Sequence, residues 1–303
     1  MNKTKLINLD KAVINALDYF IKNTPPKLNL KKYKFPIVTG SGNAYNTGKV
    51  LFSKQPAILS NESSFKDIIK SHAPLIKNNT IEEALVISSS GEKDAVWQIN
   101  LAKERKLKTT LLTCNGESRG AQVADKVIEY SKIPEPYTYN TSTYLGMILS
   151  ATQEDPKKIK DFIKKLKLPR NFKKYSAYSF ILPDEYANIA PMLEIKRNEL
   201  FGSKLSIRAF SCGEARHAKF VIPNPKELVI SLGKNEYYGD KQDRWEIKIP
   251  KNTDKALVVS LTYYIIGKIQ ELKPAYFKNN IETYCQEGPK AYGSKKPFDV
   301  IVK

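Results

Sequence analysis

Five short apolar runs follow one another between residues 35 and 130, separated by polar turns and helix-like segments. They lie at 35–39, 57–59, 84–88, 109–113 and 126–130. After the third run, Ala95, Ile99 and Ala102 recur at the spacing of one helical face. Apolar runs that alternate with amphipathic helices predict a parallel sheet covered by helices on both faces.

The same alternation resumes in the second half of the chain. Strands are predicted at 179–182, 205–210, 227–231 and 244–249, with a helix ending at Glu199. Further helices are predicted at 143–151 and 157–166, and the segment 168–176 has the changed composition of a linker. The sequence therefore predicts an amino-terminal helical segment at 1–32, a first α/β domain at 33–168, and a second at 169–303 that includes a carboxyl-terminal tail.

Two turns that follow predicted strands are rich in small residues with hydroxyl or amide groups, at 40–47 and 88–91. Ligands of parallel sheets bind beyond the carboxyl ends of the strands, where free N–H groups at helix starts attract anions. Glycine lets the backbone approach a ligand closely, and serine hydroxyls can donate to phosphate oxygens. These turns indicate a phosphate site, although ordinary turns and helix caps use the same residues. The GxxxxGK[ST] and GxGxxG motifs are absent, which favours a sugar phosphate over a nucleotide at these turns.

The chain is strongly basic, with 50 Lys and Arg against 31 Asp and Glu and a formal net charge of +19. Only seven of the 50 are arginines, and the lysines are spread along the whole chain. Proteins that read nucleic-acid bases favour the bidentate fork of arginine. The composition therefore argues against nucleic acid as a partner, and a general lysine bias accounts for the charge as well.

Metal, disulfide and membrane chemistry have little support in the sequence. The cysteines and histidines are few and far apart: His72, Cys114, Cys212, His217 and Cys285. Their spacing predicts neither a zinc site nor a disulfide framework. The longest apolar stretch, 256–269, is shorter than the roughly 20 residues that span a bilayer, and the amino terminus lacks the apolar core of a signal peptide. We expect a cytoplasmic protein with no membrane contact and no metal.

Three segments together resemble the sugar isomerase (SIS) domain family. GSGNAYNTG, ISSSGEKDAVWQINLAKERKLKTTLLTCN and GEARHAKFVI are similar to the isomerase half of glutamine:fructose-6-phosphate amidotransferase, to SIS-type deaminases and to archaeal phosphosugar isomerases. The resemblance covers about residues 33 to 232. It implies an α/β fold of two three-layer α/β/α halves with parallel, flavodoxin-like sheets, joined by helices.

The resemblance also implies a phosphate and sugar site in the first half. The matching positions are Gly42, Asn43, Ala44, Ser88, Ser89, Ser90 and Lys93. Two of them depart from the family pattern. Ala44 lacks the hydroxyl that the family usually presents in its first turn, and Lys93 stands where the family usually has a phosphate-binding threonine. A lysine there either offers a positive charge to phosphate or points into solvent.

In the second half, the resemblance implies four catalytic residues. Glu199 matches the glutamate that moves a proton between C1 and C2 of the sugar, and Lys196 lies three residues earlier, on the same helical face. Without the resemblance, these two residues would be read as an exposed ion pair. His217 matches the histidine that opens the sugar ring across a dimer interface, or else it is a surface histidine. Lys296, or Lys295, matches the tail lysine that enters the active site.

The resemblance thus implies a phosphosugar isomerase or a glucosamine-6-phosphate deaminase that acts without a cofactor. It also implies a homodimer with a shared active site. Two alternatives stay open at this point: a deglycase of fructosamine phosphates, and a sensor that binds sugar phosphates without turning them over.

Overall fold

The computed structural model describes residues 6–302, so residues 1–5 of the predicted amino-terminal segment lie outside the described part. The helices are α1 (Leu9–Lys22), α2 (Asn43–Leu51), α3 (Phe65–Ser71), α4 (Ala73–Lys77), α5 (Asp94–Glu104), α6 (Arg119–Val123), α7 (Thr141–Thr152), α8 (Pro156–Lys164), α9 (Ala190–Phe201), α10 (Cys212–His217), α11 (Lys255–Leu272) and α12 (Tyr276–Glu287). The strands are β1 (Ile37–Gly40), β2 (Ile58–Asn61), β3 (Glu83–Ile87), β4 (Lys108–Thr113), β5 (Lys126–Glu129), β6 (Glu135–Pro136), β7 (Ala177–Leu182), β8 (Ser206–Ser211), β9 (Glu227–Leu232), β10 (Arg244–Ile247) and β11 (Ile301–Val302).

The first sheet has five parallel strands in the order β2-β1-β3-β4-β5, which is the flavodoxin-like order. Helices cover both of its faces, because its strands are apolar on both sides. Val86 and Leu111 pack against Ala95 and Ile99 of α5 on one face. On the other face, Gly48 of α2 lies against side chains of β1 and β3. The five apolar runs of the sequence are these five strands.

The second sheet has four parallel strands in the order β10-β9-β7-β8. If β7 is counted as its first strand, the order is the same as that of β1 to β4 in the first sheet. The predicted strands are confirmed with end shifts of one or two residues. The two halves therefore share one strand topology despite their low sequence identity.

The described chain divides into two compact units whose segments alternate along the sequence. The first-sheet unit consists of residues 22–132 and 142–153, and the second-sheet unit consists of residues 6–21, 133–141 and 154–302. The predicted domain boundary at residue 168 falls inside the second-sheet unit. The reason is that Lys160 of α8 pairs with Asp18 of α1, while Ile159 and Ile163 are buried in that unit.

The long helix α11 forms the centre of the second-sheet unit, and it contains the predicted apolar stretch 256–269. Most of its side chains are buried. It crosses α1 so closely at Gly267 that a Cβ atom there would lie 1.9 Å from the backbone nitrogen of Asp10. Within residues 6–302, no helix has both the length and the apolar character needed to cross a membrane.

Candidate functional site

The serine turn, Ser88 to Gly91, follows β3 at the carboxyl edge of the first sheet. The Ser88 hydroxyl accepts from the Gly91 N–H at 3.1 Å, and the Ser90 hydroxyl accepts from the Glu92 N–H at 3.3 Å. Ser89 Oγ lies 3.3 Å from Thr143 Oγ1 of α7. The turn is therefore held in shape by its own hydroxyls, and Ser90 stays exposed.

The first turn follows β1, which is the neighbour of β3, so both turns lie at the same edge of the sheet. Gly42 has a φ of 55° with open space around its α carbon. Asn43 begins α2 and is 8% exposed, and its Oδ1 has no hydrogen-bond partner among the described residues. Ala44 is buried, so the first turn offers a methyl group where the family usually presents a hydroxyl.

Asp94, which the sequence pattern did not single out, links the two turns. Its Oδ2 accepts from the Ser41 hydroxyl at 2.8 Å, and its Oδ1 accepts from the Trp97 indole at 3.1 Å. The carboxylate therefore fixes the start of α5 to the turn after β1. The available signal was an acidic residue in the first turn of a predicted helix, which also favours the helix dipole.

Lys93, the last residue before α5, has a strained backbone. Its φ of 53° and ψ of −114° lie in a region that L-residues other than glycine rarely adopt. The residue is exposed. Desolvation of the ammonium group lowers its pKa, and the neighbouring Asp94 carboxylate opposes that shift. A lysine kept in this conformation indicates a role that glycine could not fill.

Lys196 and Glu199 form an ion pair on α9 in the second-sheet unit. Lys196 Nζ lies 2.7 Å from Glu199 Oε2, and it also donates to the backbone carbonyl of Thr138. The Lys196 side chain is fully buried and that of Glu199 is 24% exposed, so the alternative of an exposed surface pair is wrong. Burial raises the pKa of Glu199, although the Lys196 charge opposes the rise.

Tyrosines surround the Glu199 carboxylate. Burial raises the pKa values of Tyr137, Tyr139 and Tyr284, and the negative charge of Glu199 adds to each rise. Phe298 stacks on Tyr137 with ring centroids 4.7 Å apart. These aromatic residues could not be identified from the sequence, because nothing in their spacing places them beside α9.

The carboxyl-terminal tail is tied down by strand pairing. β11 pairs antiparallel with β6, and the Tyr137 N–H donates to the Val300 carbonyl at 2.8 Å. Lys295 and Lys296 are both exposed, and the tail side chain that packs on Tyr137 is Phe298. The role predicted for Lys296 thus stays a prediction.

The two histidines occupy different kinds of position. His217 is the last residue of α10 and is exposed. His72 lies at the end of α3, where its Nδ1 is 2.9 Å from the Ile68 carbonyl. Among residues 6–302, no three His, Cys, Asp or Glu side chains are placed to share a metal ion.

Three solved structures share this arrangement of elements over most of their length. The C-terminal domain of glucosamine-fructose-6-phosphate aminotransferase from Francisella tularensis has a TM-score of 0.59 at 15% identity, over 89% of this chain and 94% of that one. Tagatose-6-phosphate ketose/aldose isomerase from Escherichia coli has a TM-score of 0.55 at 13% identity, over 87% and 90%. Glucosamine-6-phosphate deaminase from Thermotoga maritima has a TM-score of 0.54 at 17% identity, over 86% and 92%.

The chain has the SIS fold. The predicted fold class, α/β with flavodoxin-like parallel sheets in both halves, is therefore confirmed. The sequence matches no protein-family model and no curated protein sequence. The SIS fold is thus recognised here through its three-dimensional arrangement, at identities of 13 to 17%.

Proposed function

We propose that this SIS-fold protein is a phosphosugar enzyme that transfers a proton between C1 and C2 of a hexose 6-phosphate. The observation that carries the proposal is the Lys196–Glu199 pair, in which a carboxylate with a raised pKa is held 2.7 Å from a buried ammonium group. The solved structures of the same fold include a deaminase and a ketose/aldose isomerase, which supports this class of chemistry.

The proton transfer needs one base whose pKa is close to the working pH. In an open-chain aldose, the Glu199 carboxylate removes the proton from C2, and an enediolate forms with its negative charge on the C1 oxygen. The carboxyl group returns that proton to C1 while a proton passes from the C2 oxygen to the C1 oxygen, which gives the ketose. If C2 carries an amino group, the same transfer gives a ketimine, and water hydrolyses it to the ketose and ammonia.

In the first-sheet unit, the proposed phosphate ligands are the serine turn, Gly42, Asn43 and Lys93. Ser90 is exposed, and its hydroxyl can donate to a phosphate oxygen. Asn43 is buried with an unpaired side-chain oxygen, which a sugar hydroxyl would satisfy. Lys93 supplies a positive charge without the bidentate geometry of arginine.

We assign ring opening to His217 and propose a homodimer whose partner chains share their active sites. Support comes from the exposed position of His217 at the end of α10, where a second chain can reach it. Closed two-fold dimers are also the commonest soluble assembly. We also propose a cytoplasmic location, because within residues 6–302 the three cysteines form no disulfide, as expected in a reducing compartment.

The test is a binding and turnover screen on the purified protein. Hexose 6-phosphates, their amino derivatives, a fructosamine phosphate and inorganic phosphate are compared by thermal shift, and each ligand that binds is assayed for isomer and for ammonia. Glu199→Gln should keep phosphosugar binding while turnover falls by about 10²–10⁴. Glu287→Gln, an exposed glutamate paired only with Lys290, is the matched control. Wild-type turnover in Glu199→Gln would end this assignment.

Shared sites are tested by mixing two inactive proteins. His217→Ala and Glu199→Gln chains that exchange subunits should regain part of the wild-type activity, because one hybrid site keeps both groups. Proven exchange without recovery would show that each chain supplies its own residues.

A sensor of sugar phosphates is the second candidate, and Ala44 and Lys93 favour it. The buried methyl group of Ala44 cannot bond to a phosphate, and Lys93 replaces the usual threonine. Binding of one hexose 6-phosphate with neither isomer nor ammonia formed would support the sensor. Release of an amine from the fructosamine phosphate would instead identify a deglycase.

A further inference from the structure

A cavity of about 630 Å³ opens at the carboxyl edge of the second sheet, and we call it the α10 cavity. Its walls come from residues that follow three strands. Asp184 follows β7, Arg216 lies on α10 after β8, and Lys234, Tyr237 and Tyr238 follow β9. Its volume falls within the range of 300–1,000 Å³ that is usual for small-molecule sites.

The position of the cavity matches the general rule for ligands of doubly wound sheets. The chain runs from β7 to β8 on one side and then to β9 on the other, so the strand order reverses direction at β7 and β9. Ligands bind at this point of reversal, beyond the carboxyl ends of the strands. The first sheet has its serine turn at the corresponding edge, whereas the second sheet has cations and tyrosines there.

Some charged side chains of the cavity have a bonded partner and others do not. Lys234 is paired with Glu236, and Asp184 accepts from the Gly213 N–H at 2.7 Å. In the part of the chain that the structure describes, no ion pair or hydrogen bond neutralises the side chains of Arg216 and Lys219. The charge of Arg216 also lowers the pKa of the Asp184 carboxyl. Three cations against two carboxylates nevertheless leave the lining net positive, which favours an anion.

The cavity also presents an aromatic surface. Tyr238 is buried and stacks on Phe220 with centroids 6.0 Å apart and an interplanar angle of 11°. Tyr237 packs edge-on against Tyr238 at 6.4 Å and is itself 70% exposed, and the neighbouring Val221 is 53% exposed. Large apolar side chains left exposed around a cavity are typical of a binding site.

The loop that holds Tyr237 is fixed before any ligand binds. The Asn235 side chain accepts from the Tyr237 and Tyr238 N–H groups at 3.2 and 2.9 Å, and it donates to the Tyr238 carbonyl at 2.8 Å. Arg244 donates to the carbonyls of Asn235 and Gly239 at 2.9 and 2.7 Å. A rigid loop loses little conformational entropy on binding, so the exposed ring is preorganised.

We propose that the α10 cavity is a second ligand site, separate from the proposed sugar-phosphate site, and that it binds a nucleoside phosphate. The exposed Tyr237 ring stacks on the planar base, and Arg216 and Lys219 bind the phosphate groups. Such a site needs no glycine-rich phosphate loop, because side-chain cations replace the backbone N–H groups. His217 is not among the residues that line the cavity.

Isothermal titration of the full chain tests the proposal with ADP, adenosine, pyrophosphate and fructose 6-phosphate. ADP should bind one to one, at least tenfold more tightly than adenosine or pyrophosphate, because only ADP offers both groups. Pyrophosphate binding as tightly as ADP, or no ADP binding at millimolar concentration, would overturn the proposal.

Substitutions locate the site. Tyr237→Ala should weaken ADP about tenfold by loss of stacking, and Arg216→Ala and Lys219→Ala should each weaken it about tenfold as well. Tyr292→Ala and Lys241→Ala remove an exposed tyrosine and an exposed lysine outside the cavity, and they should change the affinity less than twofold. Equal losses of ADP affinity in all five variants would show a nonspecific effect of surface charge and aromatic side chains, and would overturn the assignment of ADP to the α10 cavity.

The two proposed sites are separable by experiment. Saturating fructose 6-phosphate should leave the ADP affinity unchanged, and Ser90→Ala should as well. Competition between the two ligands, together with loss of ADP binding in Ser90→Ala, would show that ADP occupies the serine turn and that the α10 cavity is empty. If no sugar phosphate binds while ADP does, the proposed function fails and the cavity proposal stands.

Discussion

Lys196 is fully buried, yet its ammonium group lies 2.7 Å from the partly exposed carboxylate of Glu199 on the next turn of α9. The Lys196 ammonium group, which water cannot reach, is thus neutralised by the Glu199 carboxylate, which water can partly reach. Removing one partner of a buried pair is far more costly than losing a surface pair. The geometry therefore couples the charge of the proposed base to the stability of the helix that holds it.

We expect the pH dependence of turnover to report Glu199. The base must be ionised to act, so kcat/KM should rise with pH as Glu199 loses its proton. Because the pKa of Glu199 is raised, the midpoint of this rising limb of the pH profile should lie above the ordinary glutamate value of 4.5. In Lys196→Met the opposing cation is gone, and the limb should move to higher pH. Lys204→Met changes an exposed lysine of the same unit and should leave the limb in place. An unmoved limb in Lys196→Met would assign it to another group.

Stability should depend on pH through the same group. Between 4.5 and the raised pKa, the folded chain holds a proton on Glu199 that the unfolded chain has released. The free energy of unfolding therefore falls as pH rises through that window. Urea unfolding at several pH values should show a shallower fall in Glu199→Gln than in the wild type. Identical slopes would mean that the Glu199 pKa is the same in both states.

The two turns at the carboxyl edge of the first sheet offer a matched pair of glycine substitutions, Gly91 in the serine turn and Gly42 in the turn after β1. Gly91 has a φ of 65°, and a Cβ atom there would lie 2.0 Å from Ser118 Oγ, whereas Gly42 has a φ of 55° with nothing within 4 Å. Gly42→Ala should cost only the backbone strain, about 1–3 kcal/mol. Gly91→Ala should cost clearly more, because the overlap adds to the strain. Chemical denaturation of both variants measures the difference, and equal losses would show that Ser118 moves aside freely.

Asp94 should matter for phosphate binding although it is itself an anion. Asp94→Ala removes its bonds to Ser41 and Trp97, which should lower stability by about 1–2 kcal/mol and loosen the link between the two turns. We expect the affinity for hexose 6-phosphate to fall in Asp94→Ala. It should also fall in Ser41→Ala, but by a smaller amount. Ser71→Ala, an exposed serine elsewhere in the unit, is the control. Tighter phosphate binding in Asp94→Ala would show that repulsion outweighs positioning.

Lys93 allows strain and charge to be separated. Lys93→Gly relieves the unfavourable φ and ψ and should stabilise the protein by about 1 kcal/mol. Lys93→Met keeps the strain and removes only the charge. If Lys93 binds phosphate, both variants should weaken hexose 6-phosphate binding, and only Lys93→Gly should raise the unfolding midpoint. Unchanged affinity in both variants would place Lys93 in solvent.

The strands and the serine turn could be predicted from the sequence because each is specified locally. A buried parallel strand is a continuous apolar run, and the turn after it must supply small residues. The contacts around Glu199 could not be predicted in this way. Folding brings residues from other parts of the chain close to α9, namely Thr138, Tyr137 and Tyr284. No periodicity in the sequence predicts these contacts.

The composition of the two compact units could not be predicted for a similar reason. Composition changes at 168–176, and a linker was expected there. Compactness is decided by which elements pack together, and α1 and α8 belong to the second-sheet unit although they precede its sheet in the sequence. The short pair of β6 and β11, two residues each, was likewise too short to give a pattern.

Because the segments of the two units alternate along the sequence, the two units are completed at different stages of synthesis. Every residue of the first-sheet unit has been made once residue 153 is in place, whereas the second-sheet unit still lacks its entire sheet at that stage. Helix α1 precedes both sheets along the chain and has its partner in α11, where Gln270 accepts from the Leu9 N–H at 2.9 Å and Lys268 pairs with Asp10. Since domains fold as units during translation, the apolar face of α1 stays uncovered until α11, at residues 255–272, has left the ribosome.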